Sequence, residues 1–308
     1  MPNIGSVALK NNIILAPLAG VSDYPLRQLS RDFGVGLTYT EMISAEGIYR
    51  NNHKSKHFTF VKNEHPICAQ IFGNNPDVMA YAASYFEDQG ADIIDINFGC
   101  PVPKVAKQGS GAALARNTKQ AVAIISSVRK ALSVPLTIKM RLGWSAAEEN
   151  YLELSRQAEK EGVNAICLHP RYATQMYTGQ SNWDKLLLLK QQSKIPIIGS
   201  GDIKKSIDIT NHLSQYGADY IMIGRGLLGN PWLISEYLQT PPKHIKDTIE
   251  LHFKYMVDFH GEAKAAKLFR KFISKYLKHF SNAKELKGLG NKLSGLLDLQ
   301  NLLGLINV

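Results

Sequence analysis

Eight short apolar runs, spread through the first 240 residues and separated by amphipathic stretches, limit this chain more than any other feature. The runs cover residues 12–16, 37–42, 67–72, 93–97, 136–141, 165–169, 195–199 and 220–224. Helix-like segments lie between most of them, at 76–89, 118–132, 150–161, 183–192 and 204–216. Continuous apolar strands separated by helices imply parallel strands buried on both faces. Eight such units in about 240 residues match an α/β fold of the (β/α)8 TIM-barrel type. A doubly wound open sheet, the competing architecture, usually has fewer units.

Pro241-Pro242 then punctuates the chain. Beyond it Val, Ile and Thr become sparse, Lys and Leu dominate, and the pattern is helical over 245–260, 263–280 and 292–303. The expected division is a barrel domain over 1–240 and a small C-terminal helical domain over 241–308. Residues 241–308 hold 12 Lys and Arg against 6 Asp and Glu, so this last quarter carries most of the net charge of +10. Such an excess favours polyanions such as nucleic acid. A solvated lysine-rich surface gives the same count and stays open as an alternative.

Several classes are set aside. At 44% hydrophobic and 20% charged, the composition is that of a globular protein and not of a disordered one. No apolar run reaches the ~20 residues of a membrane span, and Met1–Lys10 lacks the apolar stretch of a signal peptide. Cys68, Cys100 and Cys167 form no CxxC pair and no zinc-like spacing, so neither a metal nor a disulfide framework is expected. The expectation is a cytoplasmic monomer with no membrane partner.

In a (β/α)8 barrel the active site forms at the C-terminal ends of the strands. The residues there are Ala16-Pro17-Leu18-Ala19-Gly20, Glu41-Met42, Gln70, Asn97-Phe98-Gly99-Cys100-Pro101, Lys139 with Arg141, His169-Pro170-Arg171, Gly199-Ser200-Gly201-Asp202 and Gly224-Arg225-Gly226. The last two are glycine turns running into helices. Backbone amides there can approach an anion closely, and the phosphate site of this barrel type lies after its last two strands. Lys139 and Arg141 alternate on one strand and share a face. Lys139 has two competing uses: a Schiff base with a carbonyl substrate, or stabilisation of negative charge on a reduced flavin ring. Cys68 and Cys167 lie within strands and read as core residues. Cys100 lies in a loop at the active-site end, as a nucleophile or an acid would.

These motifs resemble one family, the flavin-dependent tRNA-dihydrouridine synthases, and most nearly its bacterial B-type branch. The stretches are APLAGVSD (16–23), TEM (40–42), AQIFG (69–73), DINFGCPVPKVAKQGSGAAL (95–114), IKMRLGW (138–144), LHPR (168–171), GSGDI (199–203) and MIGRG (222–226). The resemblance implies an oxidoreductase that carries FMN across the barrel mouth. Pro17, Leu18 and Ala19 would contact its ring, Gln70, Lys139 and His169 its polar edge, and the turns at Ser200, Gly201, Asp202, Gly224 and Arg225 its phosphate. NADPH would reduce the flavin. A uridine flipped out of tRNA would take hydride at C6 and a proton at C5 from Cys100, with Asn97 and Arg141 touching the uracil. A thiol, with a reference pKa of about 8.5, is protonated at neutral pH and can act as such an acid. Arg270-Lys271-Phe272 resembles the RNA-binding Arg-Lys-His stretch of the B-type branch. The chain departs from the family at Ser200, where many relatives have asparagine, and at Phe272.

Three other readings compete: an FMN barrel oxidoreductase acting on a small molecule, an RNA-binding protein without catalysis, and a Schiff-base aldolase. The first does not explain the basic helical domain. The second does not explain Cys100, Lys139 and His169 together.

Overall fold

A computed structural model of the chain describes residues 3–50 and 64–306. Its strands are β1 (Ile13–Leu15), β2 (Leu37–Tyr39), β3 (Ile43–Ser44), β4 (Ile67–Phe72), β5 (Ile93–Phe98), β6 (Leu136–Arg141), β7 (Ala165–His169), β8 (Ile197–Ser200) and β9 (Tyr220–Ile223). All the pairings are parallel. Because β2 pairs with β4 and β9 with β1, eight strands close into the (β/α)8 barrel that the sequence pattern predicts. The ninth, β3, is a two-residue extension on the rim of β4.

Side chains alternate across each strand, and this sorts the barrel into two cores. Ile94, Ile96, Phe98, Ile138 and Met140 face the outer helices, with Ile124, Val128, Leu154 and Leu186. The barrel interior holds Ile14, Leu37, Tyr39, Cys68, Ile93, Cys167, Ile198, Tyr220 and Met222, together with Ile4 and Leu9 from the N-terminal segment. Cys68 and Cys167 are fully buried. The upper interior positions are polar: Gln70, Asp95, Asn97, Thr137, Arg141, His169 and Ser200. The barrel thus has an apolar plug and a polar mouth.

Strand limits differ from the sequence pattern where side chains interrupt the ladder. The strand expected over 37–42 stops at Tyr39 because the Thr40 hydroxyl takes the Gln70 N–H at 3.0 Å. Pairing resumes at Ile43. The strand expected from 195 starts at Ile197, since Pro196 has no N–H to give.

Beyond the barrel, helices at Ile245–His260, Glu262–Tyr276, Ala283–Gly290 and Leu296–Gly304 enclose a second core of Phe253, Phe269, Phe272, Tyr276 and Leu299. Leu26, from the barrel helix Tyr24–Asp32, joins it. Polar clasps reinforce that contact: Tyr255 Oη donates to Asp32 at 2.7 Å, and His260 Nε2 lies 3.0 Å from Asp23. The continuous helix expected over 263–280 ends at Tyr276, and Leu277–His279 tightens into a 3₁₀ turn. Among the described residues no helix is long and apolar enough to cross a membrane.

Candidate active site

A cavity of about 500 Å³ opens over the C-terminal ends of β1, β6, β7, β8 and β9, within the range of small-molecule and cofactor sites. Nine residues singled out from the sequence line it: Pro17, Leu18, Lys139, His169, Ser200, Gly201, Asp202, Gly224 and Arg225. Ala19 is exposed outside it. Gln70 is fully buried; its Nε2 gives one hydrogen to Asp95 and its Oε1 accepts one from Asn97, so a second hydrogen and a second lone pair remain.

The wall at β8 admits only glycine. Gly201 has φ +123°, and a Cβ there would fall 2.3 Å from Ser181 Oγ and 3.0 Å from His169 Cδ2. At Gly226 a Cβ would meet the Ile203 carbonyl at 2.1 Å. Ala16, Pro17, Leu18 and Met222 give one side of the cavity an apolar surface. Cations stand around the glycine turns: Arg225, Lys204 and, from the helical region, Lys278.

Arg171 organises this side; the sequence places it at a strand end and in LHPR without assigning it a role. It is 1% exposed. Its guanidinium donates to Ser181 Oγ at 2.7 Å, to the Thr178 and Gly179 carbonyls at 3.1 and 2.7 Å, and to both Asp202 oxygens at 2.9 and 2.8 Å. Asp202 sits at φ +58°. Burial works against its charge, but hydrogen bonds from Ser181 and Arg171 outweigh burial and hold the carboxyl below its usual range. The pair thereby neutralises Asp202, the acid among the described residues that line the cavity. Arg171 Nη1 also lies 3.1 Å from His169 Nε2. A guanidinium has only hydrogens to offer, so Nε2 accepts and the ring proton sits on Nδ1. Burial, reinforced by Lys139, Arg141, Arg171 and Arg225, pushes the His169 pKa down, so the ring is neutral.

The Cys100 loop stands next to this cavity, on β5. Asn97 Oδ1 accepts the amides of Gly99 at 3.1 Å and Cys100 at 2.9 Å, while Asn97 Nδ2 donates to Gln70 Oε1 at 2.8 Å. Both ends of Asn97 thus have partners within the chain. Cys100 is half-buried. Arg141 lies beside it: Nε donates to the Gly99 carbonyl at 3.0 Å and Nη1 to the Tyr172 carbonyl at 2.9 Å. Burial lowers the Arg141 pKa to about 10, still far above neutrality. Tyr177, half-exposed on the cavity rim, lies 5.6 Å from the Arg141 guanidinium and 4.4 Å from that of Arg225. Below the loop, Asp95 accepts from Gln70 Nε2 at 2.7 Å and Thr137 Oγ1 at 2.6 Å. Burial lifts its pKa to about 6 against these bonds and the Lys139 charge.

In the helical region Arg270 is half-buried and donates through Nε and Nη2 to the Leu293 carbonyl at 3.1 and 2.8 Å. Lys271 reaches the Gly20 carbonyl on the barrel rim. Phe272, 1% exposed, packs in the aromatic core. Sequence reasoning missed Asp95, Tyr177 and Lys278. Asp95 carried a signal, a lone acid at an interior position of an apolar strand. Lys278 carried none, because only the tertiary fold brings it to the barrel. Among the described residues no group of three His, Cys, Asp or Glu could hold a metal ion.

The family described as Dihydrouridine synthase matches residues 14–304. A probable tRNA-dihydrouridine synthase of Rickettsia bellii (strain RML369-C) is 36% identical over 306 residues, covering 96% of this chain and 94% of that protein. The tRNA-dihydrouridine synthase B of Proteus vulgaris is 39% identical over 286 residues, covering 89% and 88%. Two solved structures share the fold at low identity. Histamine dehydrogenase from Rhizobium sp. 4-9 has a TM-score of 0.57 at 14% identity, over 82% of this chain and 50% of that one. Morphinone reductase has a TM-score of 0.54 at 13% identity, over 79% and 90%.

Proposed function

The chain belongs to the dihydrouridine synthase family, and from that premise we propose that it reduces the C5–C6 bond of uridines in tRNA, with FMN as bound cofactor, NADPH as reductant and Cys100 as the acid. The observation that carries this reading is the shared barrel mouth, where a cation-lined cavity and the Cys100 loop stand side by side on adjacent strands.

The residues present fit a flavin mononucleotide. Pro17, Leu18 and Met222 offer apolar surface to a flat ring. Lys139 and the Nδ1–H of His169 offer donors to its polar edge, and the open wall at Gly201 leaves room that any side chain would fill. The amides at Ser200, Gly201, Asp202, Gly224 and Arg225, with Lys204 and Lys278, would take the phosphate. A flavin held by these residues and reduced by NADPH would supply hydride for uracil C6.

Cys100 Sγ gives the matching proton to C5, and a half-buried thiolate can recover it from solvent. Arg141 and Asn97 hold the backbone on which Cys100 rides. Both would lie beside a base presented to that thiol, Asn97 with each end of its amide already bonded within the chain.

The helical region supplies the grip on the polynucleotide. Lys264, Lys267, Lys271 and Lys275 are exposed, their spacing of three and four residues puts them on one helical face, and exposed Lys278 follows in the 3₁₀ turn. The opposite face buries Ala265, Phe269, Phe272 and Tyr276. This stripe ends at Lys278, inside the cavity lining, so it leads from the outer helical surface to the mouth. Lys271 lies on the stripe, and Arg270 braces the same helix from behind. Phosphate contacts of this kind position a substrate whose base is read elsewhere.

The test is anaerobic. Enzyme reduced with NADPH is mixed with unmodified tRNA, and the flavin absorbance should return at once. Absorbance that returns with small enones and not with tRNA would point instead to a small-molecule oxidoreductase.

A further inference from the structure

Among the described residues, the buried Asp95 is the charge in the barrel interior that the proposed reaction leaves without a use. We propose that it is a positioning residue which, through Gln70 and Asn97, fixes the direction of the hydrogen bonds that hold the Cys100 loop. The inference rests on Cys100 being the acid only for its consequence in turnover; the relay itself stands on geometry.

The chain of bonds has one sense. An ionised carboxylate is acceptor-only, so Gln70 must turn its NH₂ toward Asp95, at 2.7 Å. That leaves Gln70 Oε1 to face Asn97, which must answer with its own NH₂, at 2.8 Å. Only Asn97 Oδ1 then remains, and it accepts the Gly99 and Cys100 amides. Those two amides are fixed donors. If the Asn97 side chain turned over, NH₂ would face N–H and the loop would lose both bonds. The two amides favour this orientation of Asn97, but a Gln70 free to turn would set its NH₂ against the Asn97 NH₂ and work against it. The acceptor at the base of the series removes that freedom. Thr137 Oγ1 holds the second carboxylate oxygen at 2.6 Å, so the carboxylate cannot rotate away. A buried charge is a poor source of stability, which makes direction, and not stability, its contribution here.

The experiment compares Asp95→Leu with Asp95→Asn. Asparagine can give its NH₂ to the Thr137 hydroxyl, which also accepts, and keep its oxygen toward Gln70; the relay survives. Leucine has similar bulk and no acceptor. Backbone amide exchange, read by NMR on the whole protein, should rise at least tenfold at Gly99 and Cys100 in Asp95→Leu and stay near wild type in Asp95→Asn. Amides in β7 serve as the control and should not change. The kcat of Asp95→Leu on tRNA should fall about tenfold, with KM within about twofold. If Asp95→Leu does not fold, Gln70→Met breaks the series in its middle and should give the same exchange signature. Unchanged protection at Gly99 and Cys100 in either folded leucine or methionine variant overturns the relay. Faster exchange at those two amides with unaltered kcat would leave the relay standing and remove Cys100 from the chemistry, so the two failures are distinct.

Discussion

The barrel interior buries Asp95 and the helical core buries His252, and the two regions treat these ionisable groups in opposite ways. In the barrel, Asp95 has both carboxylate oxygens hydrogen-bonded and leads by side-chain bonds to the open mouth. In the helical region, His252 lies among Phe269, Phe272 and Tyr276, with Nδ1 3.0 Å from the Tyr276 hydroxyl and Nε2 unpartnered among the described residues. Burial moves the two pKa values in opposite directions, Asp95 up to about 6 and His252 down to about 4. The contrast separates two duties. The barrel places its polar groups inside, where chemistry needs direction. The helical region keeps a greasy inside and places its charge outside, where a polyanion would lie.

Substitutions should therefore divide by region, and the largest effect belongs to the barrel. Cys100→Ala should lose about 10²–10⁴-fold in turnover on tRNA, while binding FMN and accepting electrons from NADPH as wild type does. Stopped-flow measurement of the two half-reactions checks this, and full turnover in that variant would end the role of Cys100. The triple change of Lys267, Lys271 and Lys275 to Ala should spare NADPH oxidation and weaken tRNA binding by roughly 10–100-fold. Because each phosphate contact adds roughly 0.7–0.9 to the slope of log affinity on log salt, that slope should flatten by about 2. Filter binding across a salt series reads it, and an unchanged slope would move the RNA site off this stripe. Gly201→Ala, with its Cβ forced against Ser181, should weaken FMN by about tenfold, followed by flavin fluorescence, without changing tRNA affinity.

The smallest effects are the pH responses, and their signs differ. A histidine with a lowered native pKa binds protons more readily when unfolded, so stability falls as the pH drops through 6.5 toward 4. For His252 this is roughly 2 kcal/mol between pH 7 and pH 5. An aspartate with a raised native pKa does the reverse. Asp95 should add about 1 kcal/mol over the same interval, and that gain should vanish in Asp95→Asn. Denaturant unfolding of wild type, Asp95→Asn and His252→Phe at both pH values separates the two contributions. A wild-type-like pH response in His252→Phe would contradict the reading of that core.

Legibility in the sequence follows the same divide. Strand alternation with isoleucine-rich cores fixes the barrel, and with it the end where Cys100, Lys139 and His169 must stand. The helical region was legible as composition and charge, but not as contacts. Nothing local says that Lys278 reaches the cavity, or that Phe272 points into the core while Lys271 points to the rim. Within the site, strand position names the residues but not their partners. Gln70 and Asn97 look like ligands for a heterocycle when read singly, and the fold engages their amides with each other and with Asp95. Arg171 stood in plain view in LHPR, yet its use depends on Asp202 and Ser181 arriving from other segments.

The most direct test of the whole account is the dihydrouridine content of unmodified tRNA after incubation with the purified protein, FMN and NADPH. The account predicts a rise that depends on all three and disappears with Cys100→Ala. A protein that binds flavin and oxidises NADPH but leaves every uridine intact would contradict it.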